Sequence, residues 1–223
     1  RRSCVSTTRT KPKPGTVTFI GGGPGDPGLL TVRATEALAA ADVVVLARPH
    51  HDGVLTHASA DVETIDTTTT DGGASKAVLA AAKAGKQVVR VFSGDPTLLC
   101  AFAEEADACA KAKIGFELVP GVSAAVAVPA YAGIPVTDKR TRAVHVVDVS
   151  PDGPEPDWSA ANGAHQTLVL INVEGSVGKV AAALVEHGRR GDTPIAVTTG
   201  GTTTAQRTIV STLDTVERDT ASL

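Results

Sequence analysis

The sequence predicts an α/β protein with two domains, the first of them built on a largely parallel sheet. Short apolar runs alternate with amphipathic stretches along the first half of the chain, and this order produces parallel strands joined by crossover helices. The run Val43–Leu46 is apolar at every position, as expected for a parallel strand that is buried on both faces. In the second half the strands alternate less regularly with helices. We therefore expect a mixed α+β domain there, with a cleft between the two domains.

The first domain is expected to span residues 16–134, after an arm of residues 1–15. The arm contains a Lys-Pro-Lys-Pro run, which cannot join a helix or a central strand, and we expect it to be disordered. The strands of this domain are predicted at 16–20, 43–46, 62–65, 87–92 and 116–119. Its helices are predicted where apolar residues recur at helical spacing, at 30–41, 74–84, 97–110 and 123–131.

The second domain is expected to span residues 135–223. Its strands are predicted at 145–149, 167–171, 195–198 and 206–211. One helix is predicted at 177–187, ended by a glycine. The single tryptophan, Trp158, follows a proline-rich loop and is expected to anchor the packing of this domain.

The composition excludes several classes of protein. The 223 residues carry 21 Lys and Arg against 24 Asp and Glu, and a formal charge of −3 argues against a nucleic-acid binder. No apolar run approaches the roughly 18 residues that a membrane span needs. Three cysteines without a CxxC pair are typical of a reducing compartment. Because the N-terminus also lacks an apolar signal segment, we expect a cytoplasmic protein.

Several loops of small residues stand where a ligand could bind. The segment Gly21–Gly28 is neither a dinucleotide fingerprint nor a P-loop, because Asp26 replaces the third fingerprint glycine and no Gly-Lys-Ser/Thr follows. Similar loops follow two other predicted strands, at Ser93–Pro96 and Pro120–Ala124, and a fourth candidate is Thr199–Thr204. Since the carboxyl ends of parallel strands meet at one sheet edge, the first three predict a crevice for a compact polar ligand.

These loops resemble those of the tetrapyrrole methylases, S-adenosylmethionine (SAM)-dependent enzymes of sirohaem and cobalamin biosynthesis. The run Gly21–Thr31 is close to the opening signature of that family. Two further runs, Val119–Val136 and Thr193–Arg207, are similar to the branch that methylates uroporphyrinogen III. The resemblance covers roughly Thr16–Val216, and the Ala-, Val- and Thr-rich composition is similar to actinobacterial versions fused to a uroporphyrinogen-III synthase.

The resemblance implies a two-domain fold that binds SAM in its cleft, usually as a homodimer, and that releases S-adenosylhomocysteine (SAH) without needing a metal. The implied reaction places two methyl groups on uroporphyrinogen III and gives precorrin-2. Carried over by position, the cofactor contacts are Pro24, Ser93, Gly94, Asp95, Leu98, Ser123, Ala124, Asn172 and Gly201. The substrate bears several carboxylates, which arginine binds well, and we select Arg33 and Arg48 as substrate-binding residues.

Two departures from the family pattern affect catalysis. The acid that normally ends the second strand is Ala47 here, so the usual proton acceptor is absent from its place. The region after the next strand, 65–71, contains no lysine, although the branch usually has a Gly-Lys-Arg run there. His50, His51 or Asp52 could substitute as the base, and we select His50 and Asp52. The spacing of the nearby histidines fits no standard zinc pattern, so no metal is expected.

Two alternatives stay open at this point. The chain could be a sibling methylase that acts on a later corrin precursor or on a diphthamide-type acceptor. It could also be a degenerate domain that binds SAM or a tetrapyrrole without catalysis and supports a fused or partner uroporphyrinogen-III synthase. The family normally adds a strand after the region of residues 215–223, and we therefore expect the second domain to be truncated at its end.

Overall fold

The computed structural model describes residues 14–48, 51–70, 73–99, 101–151, 153–163 and 165–223. Its internal contacts divide the chain into two compact units. The first unit comprises the described residues up to Gly22 together with Leu30–Gly121, and the second comprises Gly23–Leu29 together with Val122–Leu223.

The first unit alternates strands and helices as the apolar periodicity predicts. Its strands are β1 (Thr16–Gly21), β2 (Val43–Leu46), β3 (Glu63–Asp66), β4 (Val88–Phe92) and β5 (Gly115–Val119). Its α-helices are α1 (Val32–Ala39), α2 (Gly73–Lys83) and α3 (Phe102–Lys111), and a 3₁₀ helix occupies Asp52–His57.

The strands of the first unit form a parallel sheet in the order β3-β2-β4-β1-β5 among the described residues. Alternate residues of β2 enter opposite cores, because successive side chains of a strand point to opposite faces. Val43 and Val45 pack with α2 and α3, whereas Val44 and Leu46 pack with α1. All four are at most 1% exposed, so β2 is buried on both faces as its sequence predicts.

A buried ion pair fastens α3 to β4. Arg90 donates from Nε to both carboxylate oxygens of Glu105 at 3.1 Å and from Nη2 to Oε1 at 3.0 Å. The two side chains are only 11% and 5% exposed, and the guanidinium also lies 4.4 Å from the centroid of the Phe92 ring. The pair is therefore well desolvated and hydrogen-bonded through both side chains, which is the condition under which a buried charge is tolerated.

The start of α3 differs from the prediction. The sequence pattern placed a helix over 97–110, but α3 begins at Phe102. Asp95 accepts hydrogen bonds from the backbone N–H and the hydroxyl of Thr97, and Leu99 has a φ of +60°. Both features favour a turn over a helix. The predicted helix over 30–41 is shorter too, because Thr31 caps α1 by accepting the N–H of Ala34 at 3.2 Å.

The second unit contains two small sheets within the described residues. Its α-helices are α4 (Ala124–Tyr131), α5 (Val177–Glu186) and α6 (Val216–Asp219), with a 3₁₀ helix at Ala160–Asn162. Its strands are β6 (Ala143–Asp148), β7 (Gln166–Ile171), β8 (Pro194–Thr199) and β9 (Arg207–Thr212). β6 and β7 pair in parallel and β8 and β9 antiparallel, which matches the expected mixed character. Trp158 is 6% exposed in the core that α5 and α6 share.

The division between the units differs from the predicted domain boundary at 134/135. The second unit already begins at Val122, because α4 packs against β7. It also contains Gly23–Leu29, which the prediction assigned to the first domain. The predicted arm 1–15 lies outside the described residues up to position 13, whereas Gly15 is buried and donates its N–H to the carbonyl of Ala82 at 2.9 Å.

Candidate functional site

Three glycines hold the loops after β1, β4 and β5 together in the first unit. A Cβ added to Gly121 would lie 2.1 Å from the carbonyl oxygen of Gly94 and 2.6 Å from the Cα of Gly21. A Cβ added to Gly21 would lie 2.4 Å from the same carbonyl oxygen. The backbones of the three loops therefore touch at the carboxyl edge of the sheet, as their positions after parallel strands predict.

Asp95 ties two of these loops together. Its Oδ2 accepts the N–H of Gly121 at 2.9 Å, and its Oδ1 accepts the N–H of Thr97 at 2.8 Å. Burial alone would raise the pKa of Asp95, but the hydrogen bonds from Thr97 and Gly121 outweigh it and lower the pKa. Leu98, another predicted cofactor contact, closes the same turn by donating its N–H to the Asp95 carbonyl at 3.2 Å.

Replacing Asp95 with Asn is expected to destabilise the protein by about 2 kcal/mol at neutral pH, because an amide cannot accept at both oxygen positions. The folded state lowers the pKa of Asp95, so the ionised carboxylate stabilises the folded protein. This stabilisation is fully present above the pKa of Asp in the unfolded chain, near 3.9, and is lost as the pH falls through the lower pKa of the folded state. Urea unfolding of both proteins at several pH values measures this difference. Asp61→Asn, at an exposed position, is the control, and an equal difference at all pH values would contradict the expectation.

The end of β2 brings together two residues that the sequence assigned to different roles. Arg48 donates from Nε to Oδ1 of Asp52 at 2.6 Å and from Nη2 to Oδ2 at 3.1 Å. The hydrogen bond from Arg48 lowers the pKa of Asp52. Ala47, at the position of the missing acid, directly follows β2, and its carbonyl accepts the N–H of His51 at 3.2 Å. The predicted base and the predicted substrate-binding arginine are thus partners of each other.

His51 spans from the loop after β2 to the loop after β4. Its Nε2 lies 2.9 Å from the hydroxyl oxygen of Ser93, a predicted cofactor contact that is exposed. Its Nδ1 is buried. No local sequence pattern pairs residues 42 positions apart, so this contact could not be read from the sequence. His50, the other predicted base, lies outside the described residues.

Asp26 connects the segment Gly23–Leu29 to the rest of the second unit. The backbone N–H of Asp26 donates to the hydroxyl of Thr202 at 3.1 Å, and the hydroxyl of Tyr131 donates to Oδ2 of Asp26 at 3.1 Å. Oδ1 of the same carboxylate accepts the N–H of Gly28 at 2.8 Å. The hydrogen bond to Asp26 raises the pKa of Tyr131. Thr202 is 4% exposed, so this part of the glycine-rich segment has a buried anchor.

Two predicted cofactor positions, Pro24 and Gly201, lie in this part of the second unit. Gly25, next to Pro24, has a φ of +144°, and a Cβ there would lie 2.9 Å from the Gly201 carbonyl oxygen. A Cβ on Gly201 would in turn lie 2.5 Å from Cγ2 of Val128, on the helix that begins at Ala124. Gly25 is therefore required where the segment meets the turn around residue 201, and Gly201 is required where that turn meets α4.

Ser123 and Asn172 both have structural partners. The hydroxyl of Ser123 accepts the N–H of Ala125 at 3.2 Å and so caps α4. Asn172, with a φ of +62°, follows β7 and donates from Nδ2 to Oδ1 of Asp148 at 2.9 Å and to the hydroxyl of Ser150 at 3.1 Å. The hydrogen bond from Ser150, supported by Asn172, lowers the pKa of Asp148. Asp148, Ser150 and Asn172 therefore gather at the carboxyl ends of β6 and β7.

Arg33, the other predicted substrate-binding residue, lies on α1 and forms an exposed ion pair. Its Nη2 is 3.3 Å from Oε2 of Glu117, and the two side chains are 66% and 49% exposed. The structure therefore does not bring Arg33 and Arg48 to one ion-pair cluster: each has its own carboxylate partner.

Within the described ranges, no three His, Cys, Asp or Glu side chains lie close enough to hold a metal ion. No helix in those ranges is long and apolar enough to cross a membrane.

Comparison with known sequences gives relatives of one chemical class. The chain is 40% identical over 213 residues to siroheme synthase 1 of Klebsiella pneumoniae, which covers 91% of this chain and 45% of that protein. It is 35% identical over 211 residues to the S-adenosyl-L-methionine-dependent uroporphyrinogen III methyltransferase of Methanosarcina barkeri, covering 89% of this chain and 83% of the relative. The chain thus spans about half the length of the siroheme synthases that it matches.

Comparison with solved structures agrees with the sequence relatives. The uroporphyrin-III C-methyltransferase of Thermus thermophilus, solved with S-adenosylhomocysteine, superposes with a TM-score of 0.80 at 27% identity, over 94% of this chain and 88% of that one. A cobalt precorrin-4 methyltransferase superposes with a TM-score of 0.83 at 26% identity, over 91% and 87%. The family of tetrapyrrole (corrin/porphyrin) methylases matches residues 16–217. With its parallel first unit, its glycine-rich strand ends and this match, the chain belongs to the tetrapyrrole methylases.

Proposed function

We propose that this chain catalyses SAM-dependent C-methylation of uroporphyrinogen III to precorrin-2, a step of sirohaem and cobalamin biosynthesis. The observation that carries the proposal is the contact among Gly21, Gly94 and Gly121 at the carboxyl edge of the parallel sheet. This contact leaves peptide groups and small side chains at the edge where ligands of open α/β sheets bind. The name of the Methanosarcina relative supports this reaction and this acceptor.

The residues at these loops fit a cofactor that combines a polar amino-acid part with a flat base. Ser93 is exposed, and the neighbouring glycines have no side chain to obstruct a ligand. We propose as cofactor contacts Pro24, Ser93, Gly94, Asp95, Leu98, Ser123, Ala124, Asn172 and Gly201. Because Asp95 and Ser123 already hold backbone N–H groups, their contribution is to fix the loop backbone that meets the ligand. SAM supplies an electrophilic methyl group on a sulfonium, so the protein chiefly aligns the acceptor carbon.

Arg33 and Arg48 are proposed to bind carboxylates of the substrate. Each is held in an exposed ion pair, with Glu117 and Asp52 respectively. Exposed pairs of this kind are weak because water screens them, so a substrate carboxylate can replace the internal partner at little cost. His50 and Asp52 stay proposals as catalytic groups. The hydrogen bond from Arg48 lowers the pKa of Asp52, which makes this carboxylate a weaker base.

A non-catalytic binding domain is the second candidate, and the alanine at position 47 favours it. The side chain of Ala47 has no proton-transferring group at the end of β2, and the described residues after β3 contain no lysine before Lys76. A methylase with another acceptor is a third candidate, which the similarity to a cobalt precorrin-4 methyltransferase supports. A homodimer, and association with a fused or separate uroporphyrinogen-III synthase, are proposals about the whole protein.

Anaerobic incubation of the protein with SAM and uroporphyrinogen III is expected to yield a dimethylated tetrapyrrole that mass spectrometry detects. A later corrin precursor in place of uroporphyrinogen III is the acceptor control, and preference for it would select the third candidate. Ala47→Asp should be assayed beside the natural sequence. SAH binding without product in the natural sequence, together with product from Ala47→Asp, would contradict the proposed function and select the binding domain.

A further inference from the structure

Transfer of a methyl cation to a pyrrole leaves a positively charged ring, which becomes neutral when a proton leaves an adjacent C–H or N–H bond. A base is therefore needed near the acceptor. The three glycine-rich loops follow β1, β4 and β5, and the two other strands of the sheet are β2 and β3. We therefore expect the acceptor, and the base that serves it, beside the carboxyl ends of β2 and β3.

The end of β2 has no proton-accepting side chain, because the residue that follows this strand is Ala47. The neighbouring strand supplies a carboxylate at nearly the same level, since Asp66 lies opposite Leu46 in the parallel pair of β2 and β3. The backbone N–H of Thr67 donates to the carbonyl of Leu46 at 2.9 Å, and that of Arg48 donates to Oδ1 of Asp66 at 3.2 Å. The carboxylate of Asp66 therefore lies beside the end of β2, next to the backbone of a proposed substrate-binding residue.

The donors to the Asp66 carboxylate all reach the same oxygen. Oδ1 accepts the backbone N–H of Arg48, the backbone N–H of Thr68 at 2.9 Å and the hydroxyl of Thr68 at 2.8 Å. Oδ2 accepts no hydrogen bond from the described residues, and Asp66 is only partly buried. One oxygen thus fixes the carboxylate to the two loops, and the other is open to a ligand.

Two other carboxylates, Asp52 and Asp95, stand near the ends of β2 and β4 among the described residues, and both oxygens of each already accept a hydrogen bond. Arg48 donates to Oδ1 and to Oδ2 of Asp52. The N–H of Thr97 donates to Oδ1 of Asp95, and the N–H of Gly121 donates to Oδ2. The carboxylate at the end of β3 is therefore the one of these three that has an oxygen open to a substrate proton.

We propose, on the basis of the proposed function, that Asp66 is the general base of the methylation reaction and that its Oδ2 accepts the proton. The C–H or N–H bond next to the methylated carbon breaks, and its electron pair neutralises the cationic ring. The proton forms an O–H bond with Oδ2, so the carboxylate becomes a neutral carboxylic acid. The acid returns the proton to solvent before the next methyl transfer.

The ionisation of Asp66 is compatible with this role. The hydrogen bonds from the backbone and hydroxyl of Thr68 lower the pKa of Asp66 more than burial raises it, so the carboxylate is ionised near neutrality. A lowered pKa makes the carboxylate a weak base. A weak base is sufficient here, because the loss of a proton removes the charge of the ring and restores its conjugation.

Replacing Asp66 with Asn separates the roles of the two oxygens. The amide oxygen can take the place of Oδ1 and accept the same three hydrogen bonds, whereas the amide nitrogen in the place of Oδ2 cannot accept a proton. We expect kcat for uroporphyrinogen III to fall about 100-fold or more. The KM for uroporphyrinogen III and the SAH affinity, measured by calorimetry, are expected to stay within about threefold. The urea concentration at the midpoint of unfolding is expected to stay unchanged.

Glu63→Gln is the matched control, because it neutralises an exposed carboxylate at the other end of β3, and it is expected to keep its kcat. Asp66→Ala also removes the acceptor at Oδ1, so we expect it to lose both kcat and resistance to urea.

A kcat of Asp66→Asn near that of the natural sequence would overturn the assignment, and so would an equal loss of kcat in Glu63→Gln. A loss of SAH affinity or of stability in Asp66→Asn that matches its loss of kcat would give Asp66 a structural role and would also overturn the assignment. The proposed function fails in a different way, because the natural sequence then gives no methylated product, and Asp66 as the base fails with it.

Discussion

Replacing Gly121 with alanine is expected to abolish SAH binding and to destabilise the protein by about 3 kcal/mol. The added Cβ would lie 2.1 Å from the Gly94 carbonyl oxygen and 2.6 Å from the Cα of Gly21, and all of these are backbone atoms. No side chain can rotate away, so three strand-end loops must separate. The hydrogen bond from the Gly121 N–H to Asp95 would lengthen at the same time.

Gly115, the first residue of β5, provides the matched control. A Cβ at Gly115 has no heavy atom within 4 Å apart from its chain neighbours, so Gly115→Ala is expected to change the free energy of unfolding by no more than about 0.5 kcal/mol. Calorimetric titration with SAH and urea unfolding measure both effects. If Gly121→Ala bound SAH like the natural sequence and unfolded at the same urea concentration, the proposed role of the three glycines would be wrong.

Glu105→Ala is expected to destabilise the protein by about 3–5 kcal/mol, the largest expected loss of stability among these variants. The substitution leaves Arg90 charged and only 11% exposed beneath α3, without the carboxylate that now receives three hydrogen bonds from it. Because α3 begins directly after the loop that carries Ser93, we expect the thermal unfolding temperature and the protease resistance of that loop to fall together.

Glu117→Ala, which breaks the exposed pair with Arg33, is the control and is expected to have little effect on urea unfolding. The double variant Arg90→Met with Glu105→Leu removes both charges and is expected to recover much of the stability that Glu105→Ala loses. Equal effects of Glu105→Ala and Glu117→Ala would show that burial of the pair does not matter.

The spacing of apolar residues predicts those strands and helices that are determined by neighbouring residues in the sequence. Val43–Leu46 was placed to the residue, since a run that is apolar on both faces has few other places in a parallel sheet. The start of α3 was wrong by five positions, because Asp95 and Thr97 form a turn that helical spacing does not reveal. Turn-forming side chains compete with the helix for the same backbone groups.

The sequence locates the glycine-rich loops of the candidate site but not the contacts among its side chains. The glycine-rich strand ends were identified because their composition is unusual at the end of a strand. The pairing of Arg48 with Asp52, four residues further on, lies within one loop. The pairing of His51 with Ser93 depends on how adjacent loops fold over the sheet edge. Such contacts are set by tertiary packing, which residue spacing along the chain does not record. The roles of individual residues, His50 among them, stay predictions.

The attachment of Asp26 to Thr202 constrains the order of events during synthesis. The two residues are 176 positions apart, and both belong to the second unit although the chain between them includes most of the first. At about 5–20 residues per second, a ribosome needs roughly 10–35 s to travel that distance. β1 to β5 can pair in that interval, whereas the glycine-rich segment has to wait for its partner. Cutting the gene after codon 121 would therefore express the first unit with a segment that lacks its anchor.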